Sequence, residues 1–220
     1  MKKIIKKLVQ KAGFAIVSRY VVPLDLRQIK NVAYYSGIFS KVANIPGAFV
    51  ECGVGRGRSF LYFCAFIFKE KKGRLAWGFD SFEGFPEPTK EDDSVRNPKK
   101  GEWFGISPDD IKGILKTAGI HKDFIDSKVR LIKGFFNESL KKYDDAPIAI
   151  LHVDVDLYQS YKDVLETLYP KVVSQGVVLF DEYKSPKWPG ATKAIDEFFT
   201  KEKDRITLDS NSGKYYFIKQ

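Results

Sequence analysis

The sequence predicts an α/β fold, a mostly parallel β-sheet with helices on both faces and an antiparallel strand pair at its C-terminal end. Three observations predict it. Short apolar runs alternate with helix-length amphipathic stretches, the rhythm of strand–helix–strand units that build a parallel sheet. Several apolar runs stop abruptly at carboxylates, as in "RLAWGFD", "APIAILHVDVD" and "GVVLFDEY". The length of 220 residues, with 44% hydrophobic and 15% aromatic, describes one full-sized packed domain rather than a disordered chain.

Residues 1–45 read as an N-terminal helical extension and residues 46–220 as the main domain. The extension opens with "MKKIIKKLVQKAGFAIVSRYVVPL", in which Ile4, Ile5, Leu8 and Ala12 recur at helical spacing with lysines mostly between them. It is too interrupted to span a bilayer, which takes roughly 20 mostly apolar residues. It also lacks the clean apolar core and cleavage site of a secretory signal. Such a basic amphipathic helix packs on its own domain or on the second subunit of a homo-oligomer. The alternative is peripheral contact with an anionic membrane surface. "LRQIKNVAYYSGIFSKVANI" continues the helical reading to the first strand.

That strand is "GAFVECG", followed by a glycine-rich turn and the apolar helix "SFLYFCAFIFKE". "RLAWGFD" is the second strand, "KVRLIKGFF" the third, "APIAILHVDVD" the fourth and "GVVLFDEY" the fifth. Helices fit at "SYKDVLETLYPKVV" and "ATKAIDEFFTKE", and "RITLDS" with "KYYFIKQ" forms the closing antiparallel pair. One segment breaks the rhythm. Residues 81–111, "SFEGFPEPTKEDDSVRNPKKGEWFGISPDDI", form a long proline-bearing loop. It reads either as a lid that folds over a ligand, with Trp103 and Phe104 as its contacts, or as a solvated loop with one hydrophobic anchor.

The net charge of +9 is spread unevenly, and no Lys/Arg stripe carries interleaved stacking aromatics. Nucleic acid is therefore not expected as a partner. Two cysteines, Cys52 and Cys64, are too few for a disulfide framework and lack metal-site spacing. A reducing compartment, the cytoplasm, fits that usage.

In a parallel sheet, ligands bind outside the carboxyl ends of the strands, where strand order reverses. Asp80, Asp154, Asp181 and Glu182 all stand at such ends, with Glu51 near one. In "ECGVGRGRS" the glycines Gly53, Gly55 and Gly57 let a ligand approach the backbone at a helix start. The dinucleotide fingerprint spaces its third glycine differently; the E-x-G-x-G-x-G form is more typical of S-adenosylmethionine sites. Asp80 is placed to accept hydrogen bonds from ribose hydroxyls, with Ser81 beside it as a further cofactor contact.

By strand periodicity His152, Asp154 and Asp156 share one face, with Asp154 nearest the mouth. Asp156 serves either that site or the following helix, where "SYKD" from Ser160 offers a capping box. Asp154, Asp181 and Glu182, converging from two strand ends, suit a hard cation such as Mg²⁺. One of them also suits a general base. His152 reads either as a general base or as a buried, hydrogen-bonded structural histidine.

"GAFVECGVGRG", "WGFDSFEGFPEP", "LHVDVDLYQSYKDVLETLYPKV", "GVVLFDEY" and "WPGATKAIDEFF" together resemble the macrocin O-methyltransferase family of S-adenosylmethionine-dependent enzymes. The resemblance runs in family order from about Ile45 to Phe199. It implies a Rossmann-like class I methyltransferase that methylates a hydroxyl of a sugar or glycosylated small molecule, assisted by Mg²⁺. Carried onto this chain, it implies Asp154 as metal ligand and base, and Asp181 with Glu182 completing the metal site. It also implies Asp80 on the cofactor ribose, with Glu51 and Gly53 lining the cofactor pocket. The chain departs from the family pattern at Glu182, where an aspartate is usual. It departs again at Gly55 and Arg58, where an aromatic and a glycine are usual. Two other readings of the residues are a catechol-like small-molecule methyltransferase and a non-catalytic membrane-surface protein on the same fold.

Overall fold

A computed structural model of the chain describes residues 25–104 and 106–220. The basic amphipathic stretch at the N-terminus, with its membrane or subunit contact, lies outside the described residues. Helix α1 (Leu26–Lys41) starts at a capping box: the Gln28 N–H donates to Asp25 at 2.8 Å and the Asp25 N–H to Gln28 at 2.9 Å.

The strands are β1 (Ala48–Cys52), β2 (Ala76–Asp80), β3 (Val129–Lys133), β4 (Ile148–Val153), β5 (Val172–Phe180), β6 (Thr207–Asp209) and β7 (Lys214–Ile218). They form one seven-stranded sheet in the order β3-β2-β1-β4-β5-β7-β6. The first five are parallel, and β7 runs antiparallel to both β5 and β6. The helices that follow are α2 (Arg58–Glu70), α3 (Pro108–Thr117), α4 (Lys122–Lys128), α5 (Phe136–Ser139), α6 (Tyr158–Leu168) and α7 (Pro189–Phe198).

Strand alternation divides the core into two layers. Val50, Phe79, Leu151, Val153 and Phe180 face Tyr161, Leu165 and Ile195 of α6 and α7. Phe49, Ile150 and Leu179 face Tyr35 and Ile38 of α1 and Phe63 and Ile67 of α2. Because both sheet faces are covered, β1 and β4 are buried at every position, which is why they read as apolar runs interrupted only by Glu51 and His152. The chain leaves β1 toward β2 on one side and returns with β4 on the other. The crevice between their carboxyl ends is the point where strand order reverses.

Several boundaries differ from the sequence expectation. Strand β4 ends at Val153 rather than Asp156, so Asp156 does not share a strand face with Asp154. Its backbone takes the left-handed conformation (φ +61°) as the chain turns into α6. Helix α6 starts at Tyr158, so Ser160 lies inside it and forms no capping box. It stops at Leu168, because Pro170 cannot continue a helix and Val172 already pairs with Ile148 in the sheet. The last residues of the segment read as a loop, 108–111, are helical instead: they open α3, capped by Ser107 with Pro108 in its first turn. Helices α3 and α4 extend the second core layer with Ile111, Leu115 and Ile125.

The long loop is folded down at several points. The Phe85 N–H donates to Glu102 O (3.0 Å) and the Gly101 N–H to Phe85 O (2.9 Å). Phe85, Trp103 and Trp188 pack with ring centroids 5.3–5.8 Å apart, and the Arg96 guanidinium lies 5.4 Å from both tryptophan rings. Asp92, buried within the loop, accepts the N–H of Tyr158 at 2.8 Å. The loop therefore caps α6 from 66 residues away in sequence.

Candidate active site

A cavity of about 860 Å³ opens at the carboxyl ends of β1, β2 and β4, large enough for a cofactor and part of an acceptor. Gly53, Gly55, Asp80, Ser81 and Asp154 border it. So do Phe85, Pro86, Glu87, Glu102 and Trp103 of the long loop. That loop is thus a wall of the site; of the two aromatics expected to contact a ligand, Trp103 borders the cavity and Phe104 does not.

Gly53 makes the crevice geometrically possible. A Cβ there would lie 1.7 Å from the carbonyl oxygen of Asp154, and its φ of +86° favours glycine. The end of β1 can pass beside the chain leaving β4 only without a side chain. Asp80 accepts the Gly55 N–H at 2.8 Å on one oxygen and the Phe82 N–H at 2.7 Å on the other. It thereby holds the glycine turn closed, and its remaining lone pairs border the cavity. Burial raises the Asp80 pKa, although the backbone donors of Phe82, Gly55 and Val54 oppose that rise. Ser81 donates its hydroxyl to Gly84 O at 2.7 Å, so only acceptor capacity is left for a ligand. Glu51 is fully buried beneath the cavity floor and does not border it.

Asp154, Asp181 and Glu182 each place a carboxylate oxygen within 4.8 Å of the others. Burial first, then the charges of Asp181 and Glu182, push the Asp154 pKa well above the usual carboxylate range. Burial first, then Asp156 and Asp181, do the same to Glu182. Asp181 goes the other way. Burial would raise it, but hydrogen bonds and charge from His152 and Lys214 outweigh that and hold it low. Glu182 lies within reach of the Tyr161 hydroxyl (2.7 Å) and the Asp156 N–H (3.4 Å), so its extra methylene folds the carboxylate onto α6.

His152 is 1% exposed and bridges two acids. Its Nδ1 lies 3.1 Å from Glu51 Oε1 and its Nε2 3.7 Å from Asp181 Oδ1. Burial disfavours its charged form, but Asp181 and Glu51 overcome this and push its pKa up to about 10. It does not border the cavity, and Tyr35 packs against its ring at 5.5 Å. This is the buried, hydrogen-bonded histidine of the structural reading.

Three residues that shape the site were not anticipated: Asp92, Tyr161 and Lys214. Tyr161 sits in the expected α6 segment, yet nothing local announces that its hydroxyl meets Glu182. Asp92 and Lys214 act across long sequence separations, and only the strand order brings them in.

A parallel sheet of this order with an antiparallel terminal strand, a glycine turn after β1 and an acid at the end of β2 defines a class I methyltransferase fold. The chain belongs to the macrocin-O-methyltransferase (TylF) family, whose profile matches residues 26–212. Among curated proteins it is similar to demethyldecarbamoylnovobiocin O-methyltransferase of Streptomyces niveus, with 29% identity over 79% of this chain and 66% of that protein. It is also similar to 8-demethyl-8-(2,3-dimethoxy-alpha-L-rhamnosyl)-tetracenomycin-C 4'-O-methyltransferase of Streptomyces olivaceus, with 31% identity over 63% of this chain and 54% of that protein. The matched region thus spans less than two thirds of either relative's length. Among solved structures, the calicheamicin methyltransferase CalS11 superposes with a TM-score of 0.80 at 25% identity, covering 89% of this chain and 80% of that one. The O-methyltransferase NovP gives a TM-score of 0.73 at 27% identity, covering 87% and 80%. No described helix is long and apolar enough to cross a membrane.

Proposed function

We propose that the chain is an S-adenosylmethionine-dependent O-methyltransferase that methylates a hydroxyl of a sugar or glycosylated small molecule, with a divalent cation such as Mg²⁺ assisting. The observation that carries this reading is Asp154. It borders the cavity at the strand-order reversal and is the one member of the Asp154–Asp181–Glu182 cluster that does. The relatives named above, one of them acting on a rhamnosylated product by its name, support a glycosylated acceptor.

Gly53 and Gly55 would lie under the cofactor, with Asp80 and Ser81 accepting from its hydroxyls. The donor set fits a hard cation: it is all oxygen, half-buried at Asp154 and Asp181 and buried at Glu182, and burial with the charges of neighbouring carboxylates raises the pKa of Asp154 and Glu182. Asp154, Asp181 and Glu182 would hold it. A cation so bound supplies Lewis acidity, lowering the pKa of a coordinated hydroxyl and orienting it. Asp154 borders the cavity and is placed to receive the proton of the acceptor hydroxyl. The loop wall of Phe85, Pro86 and Trp103 excludes water and holds the acceptor in line with the methyl group, where positioning supplies much of the acceleration.

Titration of S-adenosylhomocysteine by calorimetry should show saturable one-site binding. Asp154→Asn should keep that affinity and lose at least about a hundredfold in turnover; chelation with EDTA should also stop turnover. Absence of S-adenosylhomocysteine binding would overturn the proposed activity.

A further inference from the structure

Lys214 is the first residue of β7. Because β7 runs antiparallel to β5, that end lies beside the carboxyl end of β5, where Asp181 stands. The Lys214 ammonium donates to Asp181 Oδ1, the same oxygen that His152 Nε2 approaches at 3.7 Å. The lysine side chain is 16% exposed and that of Asp181 24%, and Lys214 Nζ lies 5.9 Å from the centre of the Tyr35 ring. Among the described residues, no other carboxylate lies within ion-pair distance of this ammonium. Lys214 does not border the cavity, so it is placed to act on the carboxylate cluster and not on the acceptor.

Resting on the metal reading above, we propose that Lys214 is a resident counter-ion of the Asp154–Asp181–Glu182 cluster and sets the affinity of that site for a divalent cation. The cation and the ammonium compete for one carboxylate. Asp181 is the acid of the cluster already paired with a cation, so an incoming metal either displaces Lys214 or binds against its charge. Even at the screening of bulk water, a doubly charged ion about 4 Å from an ammonium is repelled by more than a factor of ten. In the metal-free protein the lysine partly neutralises a pocket crowded with carboxylates. Its role is to set affinity and position Asp181, not to take part in the chemistry.

The test is Mn²⁺ titration of the full-length, chelator-treated protein by calorimetry, independent of turnover. Lys214→Met and Lys214→Gln should bind Mn²⁺ at least about tenfold more tightly than the natural chain, while Lys214→Arg should match it. A lysine needed only for packing would weaken the site when removed, so tighter binding separates the two roles. If the methionine variant fails to fold, the glutamine variant carries the measurement. Detectable binding by these variants alone, with none by the natural chain, supports the proposal most strongly. Equal or weaker binding by both overturns it while leaving the metal reading intact. No Mn²⁺ binding by any form overturns both.

Discussion

Asp154, Glu182 and His152 each hold a proton more tightly in the folded chain than in the unfolded one, the two carboxylates chiefly because they are buried and His152, against its burial, because Asp181 and Glu51 flank it. The stability such groups contribute is complete below their unfolded pKa values, about 4 for the carboxylates and about 6.5 for histidine. It is lost as pH rises through the folded values, about 10 for His152. Asp181, held low, contributes above its unfolded value and loses that contribution only in acid. Above about pH 5 these raised groups pull stability down as pH rises. In the presence of EDTA, the urea midpoint should therefore fall from about pH 5 to about pH 9, and saturating Mn²⁺ should flatten the decline by taking the place of the protons. A midpoint that climbs over that range would contradict the arrangement. The four acids at the site were legible as residues ending apolar runs. Their unequal proton affinities were not, because those depend on Lys214 and Tyr161, which reach the cluster from other elements.

Helix α6 shows the same division at the scale of an element. Its apolar periodicity located it, but local sequence suggested a cap at Ser160, whereas Asp92 supplies it from the long loop. Asp92 also accepts from the Thr89 N–H and hydroxyl at 2.8 and 3.0 Å, so one carboxylate ties loop to helix. Gly190 at the start of α7 leaves room for it: a Cβ there would meet Asp92 Oδ1 at 2.1 Å. Gly190→Ala should push Asp92 off the helix end and cost about 1–2 kcal/mol in urea unfolding. It should also quicken trypsin cleavage at the exposed Lys99–Lys100. Asp92→Ala should reproduce both effects. Unchanged proteolysis in the two variants would mean that the loop is held by its aromatic contacts alone.

For the molecule as a whole, the sequence reading set residues 1–45 apart as an extension. The packing of α1 argues that its second half belongs to the core. Tyr34, Tyr35, Ile38 and Val42 are all buried, and Tyr35 lies 5.2 Å from Phe63 and 5.5 Å from His152 between ring centroids. Burial of each such side chain stabilises by about 1.5–3 kcal/mol, and together they approach the whole stability of an ordinary domain, about 5–15 kcal/mol. A chain beginning at Ala43 should therefore show no cooperative urea transition, whereas a sharp transition of normal midpoint would restore residues 1–45 to the status of an appendage.

The sequence by itself determined what is local and periodic. It carries the alternation of strands and helices, the glycine turn that only a residue without a side chain can make, and the acids that end β2, β4 and β5. Each of these rests on a period or a conformational preference that acts over a few residues. Only the tertiary structure decided which strands are neighbours, and hence that antiparallel β7 delivers Lys214 to Asp181 and that the loop delivers Asp92 to α6. Sheet order and burial join residues far apart in the chain, and the charge state of a buried carboxylate depends on everything within a few ångströms of it, whatever its distance in sequence.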